Sequence, residues 1–150
     1  MAAAKKESGA ASARVAANVR RLRTQRGMST YELSRQLKAL GWPISPTSIT
    51  RLEQNERRVD ADDLLALAIV LRTSPNVLLF AAEIPAGDST EMVVTDRTMA
   101  RPADMWAWAS GERPFGAQAP LTGSAAALWA VEHNPHRSAD VIRALARLSA

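Results

Sequence analysis

Ile44-Ser-Pro-Thr-Ser-Ile-Thr-Arg-Leu-Glu-Gln-Asn-Glu-Arg-Arg58 reads as one short helix with its start and stop signals in place. Ser45 is the expected N-cap, because its hydroxyl can accept from an orphan amide of the first turn. Pro46 follows at the first helical position, where a missing N–H costs nothing. Ile49 and Leu52 point inward, and Asn55 is the expected C-terminal stop. Thr47, Ser48, Thr50, Arg51 and Gln54 are left for the outer face of a helix over about 46–54.

Working outward, each neighbouring stretch repeats this pattern. Upstream, Ser29 and Glu32 have capping-box spacing, and Leu33, Leu37 and Leu40 supply one buried stripe. Gly41, Trp42 and Pro43 stop that second helix, which Leu40 is expected to lengthen and Trp42 to pack over. Further back, Val15, Val19 and Leu22 share one face of a first helix from Ala13. Arg14, Arg20, Arg21, Arg23 and Arg26 lie on its other positions, and Gly27 ends it. Downstream, Asp60 and Asp63 open a fourth helix whose Leu64, Leu65, Leu67, Ile69 and Leu71 leave it apolar on most sides. It is expected to be the centre of a small core. Ser74-Pro75 caps a short fifth helix ending near Leu79-Phe80.

Two short helices joined by a turn, the second carrying small polar and basic groups outward, suit the DNA major groove. That groove is about 12 Å wide and admits one helix. Taken together, Gly27–Leu37, Ile44–Arg58, Leu64–Leu71 and Ser74–Phe80 resemble the helices of the Cro/C1-type (XRE-like) helix-turn-helix family. The resemblance covers about residues 13–80. It implies an all-α, five-helix lambda-repressor-like domain and a bacterial transcriptional regulator that binds double-stranded DNA, commonly as a dimer. By position it assigns Ser29, Thr30, Ser45, Thr47, Ser48, Thr50 and Arg51 to bases or adjacent phosphates, and Arg57 and Arg58 to phosphate. Glu53 matches a glutamate that is structural in the family. Thr30 stands where many members have glutamine, which favours a phosphate contact there over base reading. The connection Lys38–Pro43 is longer than the usual tight turn and is similar to that of actinobacterial members.

Charge points the same way. Residues 1–60 hold 12 Lys and Arg against 5 Asp and Glu, a net of +7, whereas residues 61–150 hold 7 against 10, a net of −3. A basic half beside an acidic half suits one end to a polyanion.

The organisation expected is a tail over 1–12, the DNA-binding domain over 13–82, a linker over 83–90 marked by Pro85, Gly87 and Asp88, and an accessory region over 91–150. That last region is expected to be smaller and mostly helical. It has one short β-hairpin (Glu91–Thr95 with Thr98–Arg101), a helix over Pro102–Ala109 ending at Gly111, and a loop over 112–120. Helices over Ser124–His133 and Ala139–Leu148 follow, the last capped by Ser138. Trp106, Trp108 and Trp129 are expected in a core or an interface, with Trp106 and Trp108 pointing apart on a helix. The region is assigned to homodimerisation or to a protein partner.

Other chemistry finds little footing. The chain has no cysteine and two histidines. Pro135 breaks the helix that would align His133 with His136 as a metal pair. No glycine-rich phosphate loop or nucleophile elbow is present, so no enzyme, cofactor or metal is expected. No apolar run approaches a membrane span, and a cytoplasmic protein is expected. Two rivals stay open: an antitoxin whose tail neutralises a toxin, and a protein–protein adaptor that keeps the fold without binding DNA.

Overall fold

The computed structural model describes residues 9–80, 91–95, 97–117 and 122–133. The chain divides into two compact units, residues 1–87 with 92–99, and residues 88–91 with 100–150.

The first unit holds five helices: α1 (Ala10–Gln25), α2 (Thr30–Ala39), α3 (Pro46–Glu53), α4 (Ala61–Val70) and α5 (Pro75–Phe80). Helix α1 starts three residues before the expected Ala13, because Gly9-Ala-Ala-Ser offers a cap and good helix formers and Ser12 Oγ donates to Asn55 Oδ1 at 3.1 Å. The capping signals act as expected: Ser29, Ser45 and Asp60 accept from the amides of Glu32, Ser48 and Asp63 at 3.1, 3.1 and 2.8 Å. The capping box at Ser29 is completed on one side only, because Arg35 and Gln36 take the Glu32 carboxylate.

The first four helices end in the same way. One residue takes a left-handed conformation, and its amide and the next fold back onto the last turn. In α2 these bonds run from Gly41 N to Lys38 O and from Trp42 N to Leu37 O, both 3.0 Å. Gly27 (φ 64°) and Gly41 (φ 87°) hold the turn without Cβ strain, but α3 and α4 place Asn55 (φ 57°) and Arg72 (φ 46°) there. Asparagine tolerates this region; for arginine it is strained. Helix α2 therefore stops at Ala39, and Leu40, expected to be buried, is its exposed C-cap.

Val15, Val19, Leu22, Leu33, Leu37, Ile44, Ile49, Leu52, Leu67, Leu71 and Leu78 form one core. A correction concerns α4. Leu67 and Leu71 are fully buried, but Leu65 and Ile69 are 51% and 60% exposed, so only one side of this apolar helix enters the core.

Polar groups complete the packing. Asn18, 3% exposed, donates from Nδ2 to the carbonyls of Val77 and Leu78 and accepts from Arg21. Arg14 donates to Leu79 O at 3.0 Å and to Val93 O, which ties α1 to α5 and to the first strand. Burial holds its guanidinium below the usual arginine value. Arg14 is thus a packing residue rather than part of a solvated basic face.

Strands β1 (Met92–Thr95) and β2 (Thr98–Ala100) pair as the expected hairpin. Arg101, expected to end the second strand, instead precedes α6 (Pro102–Ala109) as its N-cap. In the second unit Met105 is fully buried, Trp108 meets Phe115 edge-on at 5.5 Å, and Arg101 and Arg113 both pair with Asp104. The hydrogen bond from Arg101 foremost, with the charges of both arginines, holds the Asp104 carboxyl below the usual range. Helix α7 (Gly123–His133) places Trp129 against His133, the rings stacked 3.5 Å apart, with Trp129 Nε1 donating to Gly111 O at 3.2 Å. The linker over 83–90, His136, Ser138 and the helix expected over Ala139–Leu148 lie outside the described residues.

Candidate nucleic-acid interface

Helix α3 is eight residues long and buries only Ile49 and Leu52. At about 100° per residue, Thr47, Thr50 and Arg51 fall together on the opposite side, with Ser48 at its flank. Thr47 is exposed and makes no side-chain hydrogen bond among the described residues. Thr50 Oγ1 donates to Pro46 O at 3.1 Å, which leaves its methyl and lone pairs outward. Ser45 is occupied as the cap: its hydroxyl accepts from Ser48 N and donates to Ser48 Oγ at 2.9 Å, so Ser48 keeps its own proton to donate. The Arg51 side chain is 59% exposed, with Glu56 no closer than 3.9 Å. A separation that long in solvent contributes little, so the guanidinium can turn to another acceptor.

Three ties hold this helix. At its entry, Ser34 Oγ of α2 donates to Ile44 O at 2.6 Å. At its end, Glu53 receives Arg23 Nε and Nη2 at 2.6 and 2.8 Å, while Arg23 Nη1 reaches Met28 O at 2.7 Å. The Glu53 hydrogen bonds raise the Arg23 guanidinium above its usual value. Glu53 is thus structural, as its position implied. Arg23, one of the arginines on the other positions of the first helix, is consumed by it.

The third tie was not visible in the sequence. Asp63, 2% exposed, accepts Trp42 Nε1 on Oδ1 at 2.9 Å and faces Arg57 Nη2 across 2.8 Å on Oδ2. The second contact is ionic rather than directional, because neither Asp63 Oδ2 nor Arg57 Nη1 makes a hydrogen bond. Trp42 therefore binds α4 as well as closing α2. Arg57, expected at phosphate, is turned inward because a buried carboxylate sits beside it. Arg58 remains exposed.

The first turn of α2 brings Ser29, Thr30 and Tyr31 to the surface. Ser29 is exposed, Thr30 half-buried, and Tyr31 is 76% exposed. Tyr31 was passed over in sequence, although its register opposite Leu33 and Leu37 was a signal. Behind it, Arg35 and Gln36 hydrogen-bond Glu32 and hold that carboxyl below its usual range. Among the described residues, no cluster of three His, Cys, Asp or Glu could hold a metal ion, and no helix is long and apolar enough to cross a membrane.

Residues 19–78 match the family model described as helix-turn-helix. The match runs from within α1 to within α5, so this unit is an all-helical helix-turn-helix domain, followed by a smaller helical region with a two-stranded hairpin. Such domains serve DNA-binding transcriptional regulation in general. Neither the curated proteins nor the solved structures include a significant match to the chain.

Proposed function

We propose that this protein is a sequence-specific, double-stranded DNA-binding transcriptional regulator of a bacterial cytoplasm that inserts α3 into the major groove. One observation carries the proposal: α3 is tied to α1, α2 and α4, yet its Thr47–Thr50–Arg51 face is bare. A helix that is firmly held but unburied on one side suits groove reading. Arg51 is assigned to guanine, where a good bidentate contact discriminates by about 1–3 kcal/mol. The methyls of Thr47 and Thr50 are assigned to thymine. Ser29, Thr30, Ser45 and Ser48 lie at helix N-termini, where amides and hydroxyls favour phosphate. With Arg57 drawn inward, Arg58 takes the phosphate role past α3. The long α2–α3 connection supports placing the domain among the actinobacterial form of these regulators.

The test is affinity for duplexes across a salt series. The chain is expected to select one duplex from a randomised pool, with affinity falling steeply as salt displaces bound phosphates. Arg51→Ala is expected to weaken the selected duplex about tenfold to a hundredfold and to leave scrambled duplexes nearly unchanged. Equal, weak affinity for every duplex, unmoved by the substitution, would reject the proposal and favour an adaptor.

The homodimer is part of the same reading, with the second unit as the assigned interface. Its exposed Trp106 and Trp108 support that choice. Sedimentation equilibrium is expected to give twice the 16.2 kDa chain mass. A monomer at assay concentrations would remove the dimer from the proposal.

A further inference from the structure

Asp63 holds one residue before the recognition helix and one after it. We infer that Asp63 is a positioning residue for DNA reading: by gripping Trp42 and Arg57 from the first turn of α4, it sets the angle at which α3 meets the groove. The inference rests on the function proposed above.

The argument starts from how little α3 can do for itself. Two buried side chains on an eight-residue helix fix its depth but leave rotation about its axis and tilt weakly restrained. The backbone on either side is also pliable, with Gly41 (φ 87°) ahead and Asn55 (φ 57°) behind. The α2–α3 connection is long and lacks the geometry of a tight turn. Trp42 lies within it, and the 2.9 Å bond from its indole to Asp63 pins that connection to α4. Arg57 lies beyond Asn55, and its 2.8 Å contact with the same carboxylate pins the exit. The anchor is rigid: the Asp63 amide donates to Asp60 Oδ1 at 2.8 Å, and Leu67 and Leu71 of the same helical segment are fully buried.

A stability role alone fits this arrangement poorly. A carboxylate taken out of water roughly breaks even against its partners, and well-packed apolar replacements are often as stable. Here the Arg57 contact is ionic without a hydrogen bond, so the group is not optimised for stabilisation. What it does supply is a shared point of reference for both ends of α3. Base contacts tolerate little displacement, since supporting shells must hold a binding constellation to about half an ångström.

The test uses the full chain, a duplex selected from a randomised pool, and a scrambled duplex of equal length and composition. Trp42→Phe deletes the indole donor but keeps a ring. Asp63→Asn keeps an oxygen for the indole but removes the charge facing Arg57. Each is expected to weaken the selected duplex about tenfold, while affinity for the scrambled duplex, its salt dependence and the helical circular dichroism stay unchanged. If Asp63→Asn fails to fold, Trp42→Phe decides alone. A lower melting temperature with an unchanged ratio of selected to scrambled affinity would overturn the inference and leave Asp63 merely structural. The two levels separate cleanly. If the parent chain selects a duplex and Arg51→Ala loses it, but Trp42→Phe keeps it, the positioning role alone falls. If the parent chain selects nothing, the proposed function falls and the positioning role with it.

Discussion

Glu53→Ala is expected to destabilise the helix-turn-helix unit by about 3–5 kcal/mol, the usual cost of stranding one member of a buried ion pair. The Arg23 and Glu53 side chains are 15% and 7% exposed, so solvent screens their pairing little. Alanine at 53 leaves the Arg23 guanidinium inside with one carbonyl, Met28 O, for three former bonds. A small domain has only about 5–15 kcal/mol to lose, so a large unfolded fraction is expected near body temperature. Urea unfolding followed by circular dichroism measures this directly. The double variant Arg23→Met with Glu53→Leu is expected to recover most of the loss, because no charge remains to be desolvated. A midpoint for Glu53→Ala matching the parent would show that the pair contributes nothing. Because this pair joins the end of α3 to α1, DNA affinity of the single variant is interpretable only below its unfolding transition.

Leu67→Ala and Leu65→Ala, two residues apart on α4, are expected to differ sharply. Leu67 is fully buried in the core, and removing its side chain leaves a cavity costing about 2–5 kcal/mol. Leu65 is 51% exposed, and its truncation is expected to change stability by about 0.5 kcal/mol or less, as at other surface sites. The same urea experiment ranks the two. Similar losses at both positions would place Leu65 in a buried contact and contradict the orientation of α4 described above. The pair is a sensitive test because α4 shows no polar side to guide it: from Leu64 to Leu71 every residue is apolar.

That example shows where sequence and structure part. Periodicity identifies a face only where polar residues mark its opposite. In α3, Ile49 and Leu52 stand out among hydroxyls and charges, and both are fully buried. The caps at Ser29, Ser45, Asp60 and Ser74 were legible for a similar reason. A short polar side chain before a helix bonds an amide three residues on, within the same turn. Leu40 was misleading because the Gly41 turn that ends α2 outweighs one more apolar residue in register.

The charged residues divide by distance along the chain. Arg14, Arg23, Arg51, Arg57 and Arg58 look alike in sequence, and all belong to the basic half. Arg14 binds Leu79 O and Val93 O, 65 and 79 residues away; Arg23 binds Glu53, 30 residues away. Arg57 faces Asp63, and only Arg51 and Arg58 stay at the surface. No local pattern separates these fates, since each depends on which distant group folding brings alongside. By itself, then, the sequence determined the five helices, the N-caps of α2 to α5, the hairpin and the outward face of α3, because each follows from residues within a turn or two of one another. Only the tertiary structure decided which side of α4 is buried, which arginines are drawn into contacts with distant groups, and that Asp63 contacts a residue on either side of α3, because these are contacts between segments that meet only when the chain is packed.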